Sequence, residues 1–317
     1  MYKRQVTGGD PVNEWQAHME RLSTLRDKMN ALDLESVHFE SSNGTDLTVG
    51  LADQAVWESA ASKSEKGVVF PDISYGFYEV FADLYHIDVL RPKMGAGLTI
   101  DPADYTGTGR CVVIANPNAQ TGVALPLEAV EGIVKGSPES VVVVDEAYVD
   151  FGGETAAPLV EKYPNVLVVR TFSKSASLAG ARLGYALGAE KLIEDLKKLK
   201  YSTNPYSVNR TALIAGAAAI RDWSYSAENC RSIASERERL ASELAARGFE
   251  LTDSRTNFVL AKPRGIGAKE YMEALRERGI LIRYLGGALS DWVRITIGTP
   301  EQMDALLDAT DEILKRS

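Results

Sequence analysis

Lys174 is placed where an amine can do chemistry. It follows an apolar run, Val166-Leu167-Val168-Val169, that breaks off in Arg170-Thr171-Phe172-Ser173. A small-residue segment, Ser175 to Ala181, then leads to Arg182. Four apolar residues bounded by polar ones predict a buried parallel strand. The lysine therefore falls just past a strand's carboxyl end, the edge where open α/β sheets place their ligands. Among Ser, Ala and Gly neighbours it can be partly desolvated, which lowers an amine's pKa and makes it a usable nucleophile; the other reading is a solvated surface lysine in a strand-to-helix loop. Asp145 ends a second apolar run, Val141 to Val144. A carboxylate there is costly unless a cation meets it, and Lys174 is one candidate.

Two readings of that pair stand side by side. One is a structural ion pair. The other is a lysine that forms a Schiff base while an aspartate pairs a pyridinium nitrogen, the pattern of pyridoxal-phosphate chemistry. Such a cofactor also needs a phosphate site, which Arg182 and the Ser173 hydroxyl can supply as donors. Tyr148, three residues past Asp145, can reach a phenolic oxygen on the same ring.

The inventory narrows the alternatives. The 317 residues hold three histidines, His18, His38 and His86, and none follows position 86. A Ser-His-Asp hydrolase or a His-rich zinc site in the main body is thereby excluded, and no metal ligands are assigned. A net charge of -9 argues against a nucleic-acid surface. No apolar run approaches the length of a membrane span, and no signal-peptide core opens the chain. Cys111 and Cys230 lie far apart and read as buried or idle thiols in a reducing compartment, so a cytoplasmic location is expected.

Three strand ends must converge to position these groups. Cys111 to Ala115 predicts a strand ending in the polar loop Asn116 to Gly122. Leu127 to Lys135 predicts a helix, Ser140 to Val144 a strand before Asp145, Pro158 to Lys162 a short helix, and then comes the Lys174 strand. Strand, helix, strand, helix, strand implies right-handed crossovers and a mainly parallel sheet. Upstream, Val68 to Phe70 predicts a short strand and Tyr75 to Tyr85 an amphipathic helix. Downstream, Leu192 to Lys200 is helical, and a long helical pattern from Tyr206 to about Arg247 breaks near Asp222. Strands at Phe249 to Thr252, Asn257 to Leu260, Ile280 to Arg283 and Val293 to Ile297, with helices at Lys269 to Arg278 and Pro300 to Lys315, form a small α+β lobe. At the other end, Pro11 to Asp33 has helical spacing, and Ser36 to Leu51 reads as a hairpin about Asn43-Gly44.

The ordered motifs of residues 67 to 317 resemble the class I/II aminotransferases of the aspartate-aminotransferase fold type, most closely the histidinol-phosphate aminotransferases. They are Ser74-Tyr75-Gly76-Phe77-Tyr78, Asn116 to Gly122, Asp145-Glu146-Ala147-Tyr148, Ser173-Lys174 with Arg182, Asn204-Pro205-Tyr206, Asn257-Phe258 and Arg294 to Gly298. The resemblance implies an α/β, three-layer, mainly parallel sheet of the pyridoxal-phosphate transferase fold type I, truncated at its N-terminal side, plus a small C-terminal α+β domain. It implies pyridoxal 5'-phosphate as cofactor, a small-molecule amino donor and a 2-oxo acid as substrates, a homodimer, and transamination between histidinol phosphate and 2-oxoglutarate in histidine biosynthesis. Lys174 resembles the catalytic lysine and Asp145 the partner of the ring nitrogen. Tyr75 resembles the ring-stacking aromatic, and Tyr148 the contact to the phenolate oxygen. Ser173 and Arg182 resemble the phosphate binders. Arg294 resembles the arginine that grips a substrate carboxylate, Arg283 the one that meets a substrate phosphate, and Asn257 is assigned to the substrate site. The family's loop carries an asparagine where Ala119 stands here, and Asn118 is expected to take over its contact.

Residues 11 to 66 carry a second resemblance. Asn13-Glu14-Trp15, Val37-His38-Phe39 and Gly44 to Leu51 with Trp57 are similar to the N-terminal region of thermophilic-type metalloaminopeptidases. On that basis a chimeric chain is expected. Its segments would be 1–66, 67–245 for the cofactor-binding domain lacking its N-terminal part, and 246–317 for the small domain. Other class I/II aminotransferases, a decarboxylase of the same fold and a non-catalytic chimera are the alternatives.

Overall fold

The computed structural model of the chain describes residues 48–50, 66–204 and 206–315. The expected helix from Pro11 to Asp33, most of the following hairpin and the aminopeptidase-like stretch lie outside them. Of the hairpin, Thr48–Gly50 is described as strand β1. It pairs antiparallel with β7 (Gly184–Gly188), in the register Thr48↔Ala186 to Gly50↔Gly184.

Among the described residues the main sheet has seven strands. Beside β1 and β7 it holds β6 (Val166–Thr171), β5 (Val142–Asp145), β4 (Cys111–Ala115), β2 (Val68–Val69) and β3 (Val89–Leu90), in that spatial order. Strands β2 to β6 run parallel, and β7 returns antiparallel against β6. The valine runs are continuous because both faces are covered. Val113, Val143, Leu167 and Val169 face a layer that includes Tyr78 and Ala82 of α1 (Phe77–Leu84) and Ile193 and Leu196 of α3 (Glu190–Thr203). Val112, Ile114, Val142, Val144, Val166 and Val168 face the other layer, with Val130, Ile133 and Val134 of α2 (Leu127–Gly136). The three-layer, mainly parallel α/β reading holds.

The second sheet is antiparallel, in the order β10 (Arg283–Gly286), β11 (Leu289–Thr296), β9 (Phe258–Lys262), β8 (Glu250–Leu251). Its core takes Tyr271 and Leu275 from α6 (Ala268–Glu277) and Leu306 and Ile313 from α7 (Pro300–Leu314). Leu240 and Leu244 join it from the far end of α5 (Trp223–Ala246), so one helix serves both halves of the molecule. The expected break in the long helical pattern is real: α4 is Arg210–Arg221, and Asp222 separates it from α5.

Some expectations moved. Strands β3 and β7 were not foreseen, because Val89–Leu90 is short and three of the five residues of GYALG are glycine or alanine. The strand expected at Ile280 to Arg283 lies at Arg283–Gly286 instead. Ile280 belongs to a helix cap: Gly279 takes a φ of 78°, and the Ile280 amide donates to the Leu275 carbonyl at 3.0 Å. That is the hydrophobic position of a Schellman ending, which an apolar pattern alone mimics as a strand. The helix expected at Pro158 to Lys162 is a 3-10 turn, Ala157–Glu161.

Candidate active site

The parallel register brings the three strand ends level. Ala115 pairs with Asp145, and Asp145 pairs with Val169. The loops that leave them line one cleft of about 140 Å3, open to solvent. Its walls hold Tyr75, Asp145, Tyr148, Ser173, Lys174 and Arg182 together, with Ala119 beside them.

Asp145 is held at both oxygens. Its Oδ1 accepts from the Ala147 amide at 3.0 Å, and its Oδ2 accepts from the Tyr78 hydroxyl at 2.5 Å. Tyr148 stands over its own strand end and packs edge-on against Phe258 at 5.5 Å. The Lys174 ammonium lies 5.1 Å from the centre of the Tyr148 ring, within cation–π range. Lys174 is exposed, the solvated one of the two readings of its loop.

The loop that presents Lys174 is fixed by its own backbone. The Ser173 amide donates to Thr171 Oγ1 at 3.0 Å, and the Leu178 amide returns to the Phe172 carbonyl at 2.9 Å. Arg182 takes a left-handed φ of 52°, and its Nη1 donates to the Ala179 carbonyl at 3.1 Å. Beneath the loop lies a buried network that sequence reasoning missed. The Glu146 side chain is only 1% exposed and Arg170 is 19% exposed. Arg170 donates Nε to Glu146 Oε2 at 2.9 Å and Nη2 to Thr155 Oγ1 at 2.9 Å. The Ala156 amide donates to Glu146 Oε1 at 2.5 Å. Ser175, next to Lys174, donates to Asp150 Oδ2 at 2.6 Å, and Asp150 in turn lies 3.7 Å from Arg170. Burial pushes the Glu146 carboxyl above its ordinary range, while Arg170 and the Ala156 amide oppose that rise.

The loop from Asn116 to Gly122 is organised by Asn118. Its Oδ1 accepts from the amides of Gln120 and Thr121 at 2.9 and 3.0 Å, and its Nδ2 donates to the Ile73 carbonyl at 2.9 Å. Asn118 is therefore committed to the loop and lines a separate small cavity with Pro71 and Leu125, while Ala119 faces the cleft. The structure does not bring Asn118 together with the other cleft residues. An asparagine's habit of bonding its own backbone two residues on was the available signal.

Arg294 and Arg283 are cross-strand partners on β11 and β10. Arg294 reaches toward the cleft: its Nη1 donates to the Ala119 carbonyl at 3.1 Å, and its guanidinium lies 4.8 Å from the Phe258 ring. Burial, reinforced by Arg283, lowers its pKa from the ordinary arginine value, against the opposite pull of Tyr148. Arg283 is exposed. Asn257 precedes Phe258, and its carbonyl accepts from the Ile297 amide at 2.9 Å. Among the described residues there is no cluster of three potential metal ligands and no helix long and apolar enough to cross a membrane. Cys111 and Cys230 are both free and buried, as expected.

The sequence is similar to curated relatives over most of its length. It is 46% identical over 250 residues to histidinol-phosphate aminotransferase 1 of Pseudomonas fluorescens, covering 78% of this chain and 71% of that protein. Histidinol-phosphate aminotransferase 2 of Dechloromonas aromatica is 44% identical over 256 residues, covering 80% and 72%. Among solved structures, histidinol-phosphate aminotransferase from Sinorhizobium meliloti in complex with pyridoxal-5'-phosphate superposes with a TM-score of 0.73 at 25% identity, covering 85% of this chain and 77% of that one. The family profile for class I and II aminotransferases matches residues 17–309. That match runs well into the stretch expected to be aminopeptidase-like, and the comparisons give the chimeric reading no support. On this match and these relatives, the chain belongs to the class I and II aminotransferase family.

Proposed function

We propose that the chain is a pyridoxal-phosphate-dependent aminotransferase that exchanges an amino group between histidinol phosphate and 2-oxoglutarate in histidine biosynthesis. The observation that carries this reading is the convergence of three neighbouring strand ends, which puts Lys174, Asp145, Tyr148 and Arg182 around one cleft. The donor set fits the group: a carboxylate for a ring nitrogen, a phenol for the ring oxygen, an amine for the aldehyde carbon, and a hydroxyl with a guanidinium for phosphate. Asn118 drops out of that set for the reason given above.

When bound, pyridoxal phosphate supplies an electron sink for the charge left when a substrate Cα–H bond breaks. The remaining work falls to the chain's own side chains. Asp145, oriented by two donors, holds a proton on the ring nitrogen through a charge-assisted hydrogen bond. Lys174 would be the base that takes the proton from the substrate Cα and the acid that gives it back. Tyr75 covers one face of the ring, and Ser173 and Arg182 hold the phosphate. Arg294 binds the carboxylate of the oxo acid bidentately, a geometry for which guanidinium is suited. Arg283, its cross-strand neighbour, binds the phosphate of histidinol phosphate, and Asn257 completes the substrate site.

The enzyme would act as a cytoplasmic homodimer. The exposed apolar side chains of Phe77, Val80 and Leu84 on α1 favour a covered face there. The lobes would divide near residue 245, although α5 crosses that position.

Absorption spectroscopy tests the reading. Wild-type protein mixed with pyridoxal phosphate should give a yellow lysine-bound band that Lys174→Ala lacks. It should also convert histidinol phosphate and 2-oxoglutarate to glutamate. A band that persists without Lys174 would remove the cofactor assignment, and a normal band without turnover of histidinol phosphate would remove the substrate assignment.

A further inference from the structure

Tyr78 belongs to none of the roles assigned so far, yet it touches two of them. Its ring is buried, 4% exposed, in the core layer formed by Val68, Phe70, Ala82, Cys111 and Val113. Its hydroxyl leaves that layer at the sheet edge and donates to Asp145 Oδ2 at 2.5 Å, across 67 residues of sequence. Its ring also meets the edge of Tyr75, centroid to centroid 5.5 Å, and that of Phe70 at 5.8 Å. One side chain on a helix thus grips both the carboxylate and the aromatic ring that line the cleft.

The geometry has a chemical consequence. An ionised carboxylate offers about four lone-pair sites. At Asp145 the Ala147 amide takes one on Oδ1 and the Tyr78 hydroxyl takes one on Oδ2, so rotation of the group is blocked from both sides. A phenol that donates here also favours the ionised form over a neutral carboxyl. The plane of the carboxylate is thereby held in one orientation at the mouth of the cleft.

We infer that Tyr78 is a positioning residue that locks Asp145 as a charged acceptor for a protonated ring nitrogen. The inference rests on the cofactor reading above. It extends that reading to a residue whose sequence pattern places it on an apolar helix face.

Two ligands separate this role from a structural one. Pyridoxal phosphate carries the ring nitrogen; its analogue with C–H in place of that nitrogen does not. Binding of each is measured by fluorescence titration to wild type, Tyr78→Phe and Asp145→Asn. The Phe variant keeps the ring contacts with Tyr75 and Phe70 and loses the hydroxyl alone. Releasing one side-chain rotation should weaken pyridoxal phosphate about three- to tenfold and leave the analogue within about twofold of wild type. Equal losses for both ligands, or no loss for either, would overturn the inference. If Asp145→Asn also fails to discriminate between the ligands, the cofactor reading itself fails; if it discriminates and Tyr78→Phe does not, only the role of Tyr78 is lost. Should Tyr78→Phe not fold, wild-type protein labelled with carbon-13 at the tyrosine ζ carbon answers the same question. The tyrosine signal displaced by Asp145→Asn should move on adding pyridoxal phosphate and stay in place with the analogue. A signal that ignores both ligands overturns the proposal.

Discussion

Removing the Glu146 carboxylate tests whether the buried network beneath the Lys174 loop is a support or an ornament. Glu146→Ala takes away two guanidinium contacts, Arg170 Nε at 2.9 Å and Nη2 at 2.8 Å, and the Thr155 hydroxyl contact at 2.9 Å. It also orphans the Ala156 amide, whose partner was Glu146 Oε1. Breaking a buried pair by deleting one member typically costs about 3–5 kcal/mol, because the other charge stays behind. One feature places this site at the lower end. Asp150 remains 3.7 Å from Arg170 and shares its charge. The expected loss is therefore about 3 kcal/mol for Glu146→Ala. Glu146→Gln, which keeps the volume and an acceptor for Ala156, should lose about 1–2 kcal/mol. Urea unfolding followed by circular dichroism measures both, and a cycle with Arg170→Met isolates the coupling. A loss below about 1 kcal/mol for Glu146→Ala, or an Arg170→Met effect unchanged in its presence, would refute the argument.

Three further outcomes follow from single features. Arg237 is buried and donates to the carbonyls of Phe151 and Thr256 at 2.6 and 2.8 Å, so Arg237→Met should destabilise by about 2–4 kcal/mol in the same assay, through two abandoned carbonyls. Gly122 has a φ of 75°, and a Cβ built on it would lie 2.3 Å from Ser254 Oγ; Gly122→Ala should cost about 2–3 kcal/mol and loosen the loop to proteolysis, whereas Gly265→Ala, with φ of 83° and open space, should cost about 1 kcal/mol. Burial raises Tyr271 to about 12, from about 10 in the unfolded chain, so the unfolded state releases a proton first as pH climbs. The stability this tyrosine contributes is whole below pH 10 and is lost toward pH 12, by about 2–3 kcal/mol, a dependence that Tyr271→Phe should remove from urea midpoints.

What could be read without coordinates was the edge of the sheet. Valine runs ending in Asn116, Asp145 and the Lys174 loop are local signals, and a parallel order makes their ends level, so the cleft followed from alternation alone. The misses share a different character. Tyr78 has the spacing of an apolar helix face, and only the sheet beside it reveals that its hydroxyl meets Asp145. Arg237 reads as one polar residue in a charged helix; its two carbonyl partners lie 86 and 19 residues away. Glu146 follows Asp145 in the chain, and alternation sends it to the opposite side, where its partners come from residues 155, 156 and 170. Asn118 is turned into its own loop for the reverse reason, a local backbone preference. The position of Lys174 past its strand was legible and its exposure was left open, because small neighbours leave a lysine uncovered as readily as they bury it.

The loop from Asn116 to Gly122 is fastened by partners that come much later in the chain. Thr252 donates to the Thr121 carbonyl across 131 residues, the Arg255 amide donates to Gly122, and Arg294 reaches Ala119 across 175 residues. During synthesis the valine strands can pair as soon as residue 171 has emerged, since their registers need nothing beyond it. One wall of the cleft must wait for β11. A nascent chain thus carries its lysine and aspartate early and gains a finished binding surface only near the end of translation, after the slow closure of long-range contacts.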